Sequence, residues 1–214
     1  MTLRLRSGQA FALLALLIAR PVYAQTAFRP FFLFSEERFA AAKSFTATFG
    51  SSVQPLFGGG VDVTVRRNVF VELAISRMSK TGQRFFIDDT GTAYGLNIAS
   101  RVSITPVELS AGYRFRTRRS RWVPYVAAGV GWYIYHQDDD FSGPSENVDD
   151  THAGFLARGG VEVKVSRWVS VAADAQYTHA SGILGQPSKT SGSTVANESD
   201  LGGIAARFRV ILGK

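Results

Sequence analysis

Charged residues recur in this sequence at alternate positions within runs of Val, Leu, Ile and Phe. The stretch VFVELAIS places Glu72 among apolar residues, and VELSAGYRF does the same with Glu108 and Arg114. Alternate residues of an extended strand share one face, so these charges would lie opposite the apolar side. Isolated buried charges are unstable, and charges of both signs on enclosed faces would therefore form ion pairs. The members of this predicted ion network are Arg29, Asp62, Glu72, Glu108, Arg114, Arg158, Glu162, Lys164, Asp174, Arg207 and Arg209.

A second group of candidate residues lies in the acidic segment QDDDFSGPSENVDDT, residues 137–151. Clustered carboxylates suit hard cations such as calcium. The spacing lacks the D-x-[DN]-x-[DN]-G pattern of an EF-hand loop, so a solvated acidic loop is the favoured interpretation. Calcium binding therefore stays an open alternative. The acidic residues are Asp138, Asp139, Asp140, Glu146, Asp149 and Asp150.

Histidines offer two further kinds of chemistry. His136 and His152 flank the acidic segment, but no HExxH or comparable zinc spacing is present, so we predict no metal and no cofactor. His179 and Ser181, with Glu198 or Asp200, could form a hydrolase that acts on lipid or peptide. No GxSxG elbow supports that reading, and we predict that the protein is not an enzyme.

The elements that position these side chains are β-strands, because period-two alternation dominates after residue 26. The one local exception is EERFAAAKSF, residues 36–45, which predicts a short helix. Within residues 80–102, RFFID and AYGLNIA flank a turn-like DDTGT and could form a hairpin. Eight strands are predicted, near residues 26–34, 56–65, 69–79, 103–117, 122–136, 152–165, 168–180 and 200–212.

The predicted connections alternate between short and long. Short turns are expected at RRN, RTRRSR and Ser166-Arg167, and long loops near residues 35–55, 80–102, 137–151 and 181–199. Strands of about ten residues, in an even number, fit tilted crossings of a bilayer. The pattern predicts an all-β fold, an eight-stranded antiparallel transmembrane β-barrel with short periplasmic turns and long extracellular loops. Aromatic residues that could serve interfacial girdles are Trp122, Trp132, Tyr133, Tyr135, Trp168 and Tyr177.

The segment WVPYVAAGVGWYIYH illustrates the expected facing of a strand. Its glycines would leave room in the interior for bulky neighbours. The residues predicted to face lipid are Trp122, Val126, Val130 and Ile134. Those predicted to face the interior are Tyr125, Ala127, Gly129, Gly131 and Tyr133.

The N-terminal residues predict export. Arg4 and Arg6 precede an apolar run, and Val22-Tyr23-Ala24 has the small-x-small pattern of a cleavage site. We therefore predict a signal peptide over residues 1–24, cleaved between Ala24 and Gln25, and one barrel domain over residues 25–214. The chain has no cysteine, which excludes a disulfide scaffold. The net charge of +7 includes three signal-peptide arginines, and no basic stripe predicts nucleic-acid binding.

Two segments carry a resemblance to a known class of protein. VPYVAAGVGWY resembles the Pro-Tyr-x-x-x-Gly-x-Gly-aromatic strand of small outer-membrane barrels, the class of outer membrane proteins A, X and W, and LGGIAARFRVIL is similar to their final strand. The resemblance implies a place in the outer membrane, contact with its lipids and lipopolysaccharide, and insertion by the barrel-assembly machinery. That machinery usually reads an aromatic residue at the end of such barrels, and the last aromatic residue here is Phe208.

The motifs of the resemblance specify a fold and a place and say little about activity. For function, we predict a non-catalytic barrel with a structural, adhesion or surface-interaction role in the cell envelope. The alternatives are a narrow channel for small hydrophobic or ionic solutes and an outer-membrane lipid hydrolase. A plugged lumen with elaborate loops would favour the first reading, and a continuous pore would favour the channel. The surface partner is not identified by the residues.

Overall fold

Eight β-strands form the protein in the computed structural model, which describes residues 27–66, 68–87, 93–117, 120–139, 148–182, 198 and 200–213. The predicted signal peptide and its cleavage site lie outside the described residues. Within those ranges, no helix is long and apolar enough to cross a membrane. The elements are β1 (Ala27–Phe39), α1 (Ala42–Phe49), β2 (Val53–Arg66), β3 (Val69–Ile87), β4 (Ala93–Arg114), β5 (Trp122–Asp139), β6 (Val148–Lys164), β7 (Val169–His179) and β8 (Gly203–Leu212).

The strands close into a barrel in which each strand pairs antiparallel with its neighbours in sequence, and β8 pairs with β1. This confirms the predicted fold class. Following the paired residues once around the barrel from Ala27 leads back to β1 at Glu37, a stagger of ten residues. Such a stagger requires strands that tilt by about 35–45° to the barrel axis. The end that carries the short connections 66–69, 114–122 and 164–169 is the turn end, and the opposite end is the loop end.

Several elements differ from the predictions at the loop end. β1 continues to Phe39, so the predicted helix over residues 36–45 is wrong in position, and α1 begins only at Ala42. The helix stops at Gly50, whose φ of 76° suits a residue without a Cβ. The hairpin expected within residues 80–102 is present, but it forms as an extension of β3 and β4, which pair as far as Ile87 and Ala93.

The barrel is apolar on the outside and charged on the inside. Leu73, Val130 and Ile204 point outward with 45, 49 and 63% of their surface exposed, whereas Asp62 and Glu72 point inward with 0 and 1% exposed. A water-soluble barrel has the opposite arrangement, because water would solvate the charges and expel the apolar side chains. The facing pattern therefore defines a barrel embedded in a membrane.

The aromatic residues divide between the two faces. Trp122 and Trp168 are exposed at the turn end, as expected for an interfacial girdle, and the outward facing predicted for Val126 and Ile134 is confirmed. Tyr133 and Tyr135 were among the residues suggested for the girdles, and that suggestion is wrong. Both side chains are buried in the lumen, because they share strand parity with the inward residues of β5.

Glycines on the inner face allow close approach of bulky neighbours. A Cβ on Gly131 would lie 2.9 Å from the hydroxyl of Tyr133, in agreement with the role predicted for the glycines of this strand. Gly160 is more constrained, since a Cβ there would lie 2.4 Å from the carbonyl oxygen of Ala173 and from the Cβ of Asp174. The neighbouring Gly159 faces outward, and its added Cβ would meet nothing closer than 3.8 Å.

This contrast predicts unequal effects of the same substitution at adjacent positions. Gly160→Ala should lower the free energy of unfolding by about 1–3 kcal/mol, because backbone and Asp174 must shift to admit a methyl group. Gly159→Ala is the matched control and should change stability by less than about 0.5 kcal/mol. Urea unfolding in lipid vesicles, followed by tryptophan fluorescence, measures both. Equal effects at the two positions would contradict the facing of β6.

The outward facing of Val130 leads to a second prediction, on the cost of placing a charge in the bilayer. Val130→Arg should destabilise the folded barrel by about 2–4 kcal/mol if Val130 lies near the middle of the bilayer, whereas Val130→Ala should be tolerated. Val165→Arg is the control, since Val165 is also exposed but lies at the turn end, where arginine costs about 0–1 kcal/mol. Unfolding titrations in vesicles distinguish the two arginine variants, and the same cost in both would show that Val130 does not face hydrocarbon.

Candidate functional site in the barrel lumen

Ten of the charged residues predicted for the ion network lie on the inner faces of the strands. Each is no more than 7% exposed. The period of two places them there, because each belongs to the same parity as the other inward residues of its strand. They are contributed by every strand except β5, whose inner face carries Tyr125, Ala127 and Tyr133 instead. Their hydrogen bonds divide them into two clusters.

The turn-end cluster consists of Arg29, Asp62, Arg114 and Glu162. Arg29 makes a bidentate pair with Glu162, with N–O distances of 2.6 and 3.0 Å. The Nε of Arg29 also approaches Asp62 at 3.3 Å, and Arg114 donates to the second oxygen of Asp62. The Nε of Arg114 lies 3.3 Å from Glu162, which completes a ring of two arginines and two carboxylates. The ring is charge-balanced, as stable burial of ions requires.

The central cluster is organised around Glu72. One of its oxygens accepts a hydrogen bond of 2.6 Å from Arg158, and the other accepts one from Arg209. Arg158 also donates to Ser110 at 3.0 Å, which uses a further N–H group of its guanidinium. Arg207 lies 3.7 Å from Glu72 and brings a third positive charge to the same carboxylate. A single buried carboxylate thus connects strands β3, β6 and β8.

Two further carboxylates complete the central cluster. Asp174 accepts a hydrogen bond of 2.5 Å from the hydroxyl of Tyr125 and lies 3.2 Å from the Nε of Arg209. Glu108 accepts from Arg207 at 3.0 Å and from the amide of Gln176 at 2.7 Å. Three arginines therefore face three carboxylates, and this cluster is also charge-balanced. The members of the central cluster are Glu72, Glu108, Arg158, Asp174, Arg207 and Arg209.

Aromatic rings pack among the ions. The guanidinium of Arg114 lies 4.0 Å above the ring of Phe70, and that of Arg209 lies between Phe31 and Tyr125, at 5.4 and 5.3 Å from their centroids. Cation–π contacts of this kind stabilise arginine where water is scarce. The rings also occupy volume that small polar side chains would leave open. The lumen is thus filled by ions and aromatics together.

Above the central cluster, at the loop end, a group of buried apolar side chains lies beside the buried Glu37 and Gln54. Helix α1 lies at this end, and its Phe45 stacks on Phe39 at 4.2 Å with an interplanar angle of 11°. We call this group the apolar cap. Its members are Phe39, Ala41, Phe45, Leu56, Met78, Val102, Ile104, Tyr133, Tyr135, Ala180 and Leu201, all no more than 6% exposed.

Three differences separate the lumen from the predicted network. Lys164 is exposed, because β6 ends there and its side chain reaches water at the turn end. Glu37 is buried in the lumen but was absent from the prediction, since β1 was expected to end near residue 34. Strand parity could have identified Glu37 as a lumen residue, because it lies on the same face of β1 as Arg29. Tyr125 and Gln176 were also missed as partners, since neutral side chains carry no sign that reveals their role.

The histidines lie toward the loop end, where each is within hydrogen-bonding distance of an aspartate. His136 contacts Asp149 and lies 2.9 Å from Asp138. His152 lies 3.1 Å from Asp150. Residues 140–147 lie outside the described residues, and with them Asp140 and Glu146 of the segment considered for calcium binding. Among the residues that the structure places, no group of three or more His, Asp or Glu is arranged to hold a metal ion.

Of the four residues considered for a hydrolase, three lie close together in the structure and Glu198 lies apart. His179 hydrogen-bonds Asp200 at 2.6 Å, and Ser181 forms an isolated bridge with the same aspartate. Glu198 instead contacts the start of α1. Within the described ranges, no hydrogen bond joins the hydroxyl of Ser181 to His179. The arrangement therefore contains a base and an orienting carboxylate but not the contact between nucleophile and base.

A closed barrel with an apolar exterior and a charge-balanced, filled lumen defines an integral membrane protein of the outer-membrane type. Residues 10–203 match the family model described as the outer membrane protein beta-barrel domain, and the chain belongs to this family. Family membership implies the outer membrane as its location. The turn end is accordingly periplasmic and the loop end extracellular.

Solved structures share the fold at low identity. Outer membrane protein W of E. coli is 17% identical with a TM-score of 0.51, and the match covers 90% of this chain and all of that one. OprG of Pseudomonas aeruginosa is 10% identical with a TM-score of 0.51, covering 89 and 94%. The N-terminal barrel domain of OprF from the same organism is 14% identical with a TM-score of 0.48, covering 89 and 100%. No curated protein sequence matches the chain. Identities this low show the fold alone.

The two clusters predict where mutational effects couple. Arg29→Met and Glu162→Gln should each lower the free energy of unfolding by about 3–5 kcal/mol, because each leaves a buried partner charge uncompensated. The double variant should lose less than the sum, by about 1–3 kcal/mol. Arg29→Met combined with Glu72→Gln is the control, since the two residues belong to different clusters and should add to within about 0.5 kcal/mol. Urea titrations of all variants give the coupling free energies. Equal coupling in both pairs would show that the clusters are not separate.

Proposed function

We propose that this protein is a sealed, non-catalytic barrel that serves the cell envelope through its extracellular surface, in a structural, adhesive or surface-interaction role. The observation that carries the proposal is the filled lumen. From the periplasmic end outward, a charge-balanced ring, a second charge-balanced cluster and the apolar cap follow one another. Eight-stranded barrels have interiors that side chains can fill, so no aqueous path is needed to stabilise this one.

The extracellular side supports the same proposal. Strands β3 and β4 remain paired from Met78 and Ile104 to Ile87 and Ala93, beyond Arg77, the last partner of β2 on β3. Strands β5 and β6 also pair as far as Gln137 and Val148. Loops that carry binding functions are commonly held by rigid scaffolds. These two paired extensions give the extracellular surface such a scaffold.

Export and membrane insertion form part of the proposal. Removal of residues 1–24 would leave Gln25 two residues before the start of β1 at Ala27, so the cleavage would leave the barrel intact. The outward apolar face supports direct contact with the lipids and lipopolysaccharide of the outer membrane. Insertion would use the barrel-assembly machinery that serves this class of protein. Mass spectrometry of the outer-membrane fraction tests the cleavage site.

A narrow conduit for small ions is the alternative, and one observation favours it. Several buried guanidinium N–H groups form no hydrogen bond among the described residues, namely the Nε of Arg114, Arg158, Arg207 and Arg209 and one Nη of Arg207. Those of Arg114, Arg207 and Arg209 lie 3.2–3.7 Å from a carboxylate oxygen, in ion-pair contact without hydrogen-bond geometry. Buried polar groups normally pair with protein or ordered water. A chain of water molecules past these donors would provide a polar path through the clusters.

Planar-bilayer recordings distinguish the sealed barrel from the conduit. The refolded protein should give no discrete conductance steps, because the clusters and the cap close the lumen. Glu108→Gln and Glu36→Gln provide the decisive pair, since Glu108 is buried in the lumen whereas Glu36 is exposed on the outer face of β1. Conductance steps in the parent protein that change with Glu108→Gln but not with Glu36→Gln would overturn the sealed barrel. Steps that respond to neither substitution, and that a mock preparation without the protein does not give, would also overturn it.

A further inference from the structure

We propose that helix α1 is a lid on the extracellular mouth of the barrel, and that Glu198 is the latch that holds the lid closed. The helix contributes Phe45 to the apolar cap and packs Phe49 against it, and Glu198 belongs to the connection between β7 and β8. The latch therefore joins the first extracellular connection to the last. This device is separate from the ion clusters, which fill the lumen below it.

Helix α1 has no side-chain cap at its own N-terminus. Ala41 occupies the N-cap position, and no side-chain hydrogen bond from it satisfies the first turn. The initial N–H groups of a helix need acceptors, and alanine is a poor N-cap because it supplies none. An isolated helix of eight residues is unstable in water, so α1 depends on contacts from elsewhere in the chain.

Glu198 supplies the missing acceptors. Its Oε1 accepts the backbone N–H of Lys43 at 2.9 Å, and its Oε2 accepts the N–H of Ser44 at 2.9 Å. The hydroxyl of Ser44 donates to the same Oε2 at 2.7 Å. A carboxylate at this end of a helix also interacts favourably with the helix dipole. One side chain thus makes three hydrogen bonds that position the lid.

The latch projects from a fixed base. Asp200, two residues further along, accepts the N–H groups of Ala180 and Gly202, both at 2.8 Å, and hydrogen-bonds His179 at 2.6 Å. The N–H of Ala40, just before the helix, donates to the carbonyl of Gly202 at 2.7 Å. These bonds hold residues 200–202 against the ends of β7 and β8 and against the residue that precedes α1. Displacement of the lid would therefore break the contacts at Glu198 and those beneath α1.

The underside of the lid is apolar. Phe45 packs on Phe39, and Phe49 lies 5.7 Å from Phe45 and beneath the ammonium of Lys80, also at 5.7 Å. Movement of α1 would expose Leu56 and Met78, which are each 2% exposed when the lid is closed. The strands that carry these two residues belong to the barrel wall, so they stay in place when the helix moves. Cysteines at these positions therefore report the lid directly.

Cysteine labelling tests the latch. The chain contains no cysteine, so Met78→Cys or Leu56→Cys introduces a single thiol under the lid. A hydrophilic maleimide should label either position slowly in the refolded barrel. Adding Glu198→Gln should accelerate labelling about tenfold or more, because hydrogen bonds to a charged group are stronger than neutral ones. Ser44→Ala removes only one of the three bonds and should have a smaller effect. Glu36→Gln is the matched control and should leave the rate unchanged.

A cysteine at a second position distinguishes opening of the lid from destabilisation of the whole barrel. Thr64→Cys lies in the lumen near the periplasmic end, where its parent residue is 6% exposed. Its labelling rate should not respond to Glu198→Gln, and all variants should keep the gel mobility of a folded barrel. Equal labelling with Glu198→Gln and Glu36→Gln, or acceleration at Thr64→Cys as well, would overturn the lid. The result does not depend on conductance, since the ion clusters close the lumen in either position of α1.

Discussion

Closure of the sheet is the constraint on which the rest of this structure depends. Hydrocarbon cannot hydrogen-bond a peptide group, so every strand inside the bilayer must pair on both edges, and only a closed barrel satisfies that requirement. Pairing of β8 with β1 completes the circle here. Once the barrel is closed, strand parity assigns each side chain either to lipid or to the lumen. A slip of one residue would exchange the two faces and place the arginines and carboxylates in lipid.

The lumen shows how a protein can enclose many charges without water on every side. Each cluster contains equal numbers of arginines and carboxylates, so neither carries net charge into a region of low dielectric constant. All the cations are arginines, which stay charged when buried and bind carboxylates through a planar fork. Lys164, the lysine that sequence parity assigned to the lumen, reaches water instead. The clusters stabilise a particular register, since their partners come from strands far apart in sequence.

The two ends of the barrel differ in how they are closed. Near the periplasmic end, closure depends on side chains of the strands themselves, and opening it would separate buried ion pairs such as Arg29 and Glu162. At the extracellular end, closure depends on α1, which is bound to the rim by Glu198 and by apolar packing. Local opening requires less free energy where few strand hydrogen bonds must break. The extracellular end is therefore the part of this barrel where a conformational change is least costly.

The sequence by itself determined the strands, their number and the face of most strand residues, because alternation is a local property that each strand carries in its own residues. Asp62, Glu108 and Val130 lie where parity predicted. The sequence predicted the ends of the strands less accurately. β1 runs past the predicted helix to Phe39, and β3 extends to Ile87, because pairing with a neighbouring strand stabilises residues whose own pattern is weak.

Only the tertiary structure decided which charges meet. Arg29 pairs with Glu162 across 133 residues of sequence, and Arg209 pairs with Glu72 across 137. Those partners follow from the stagger of ten residues around the closed sheet, which no single strand encodes. The latch was hidden for the same reason. Glu198 resembled a possible catalytic carboxylate in sequence, and the fold instead carried it to the uncapped end of a helix about 155 residues away, since closure places the first and last hairpins side by side.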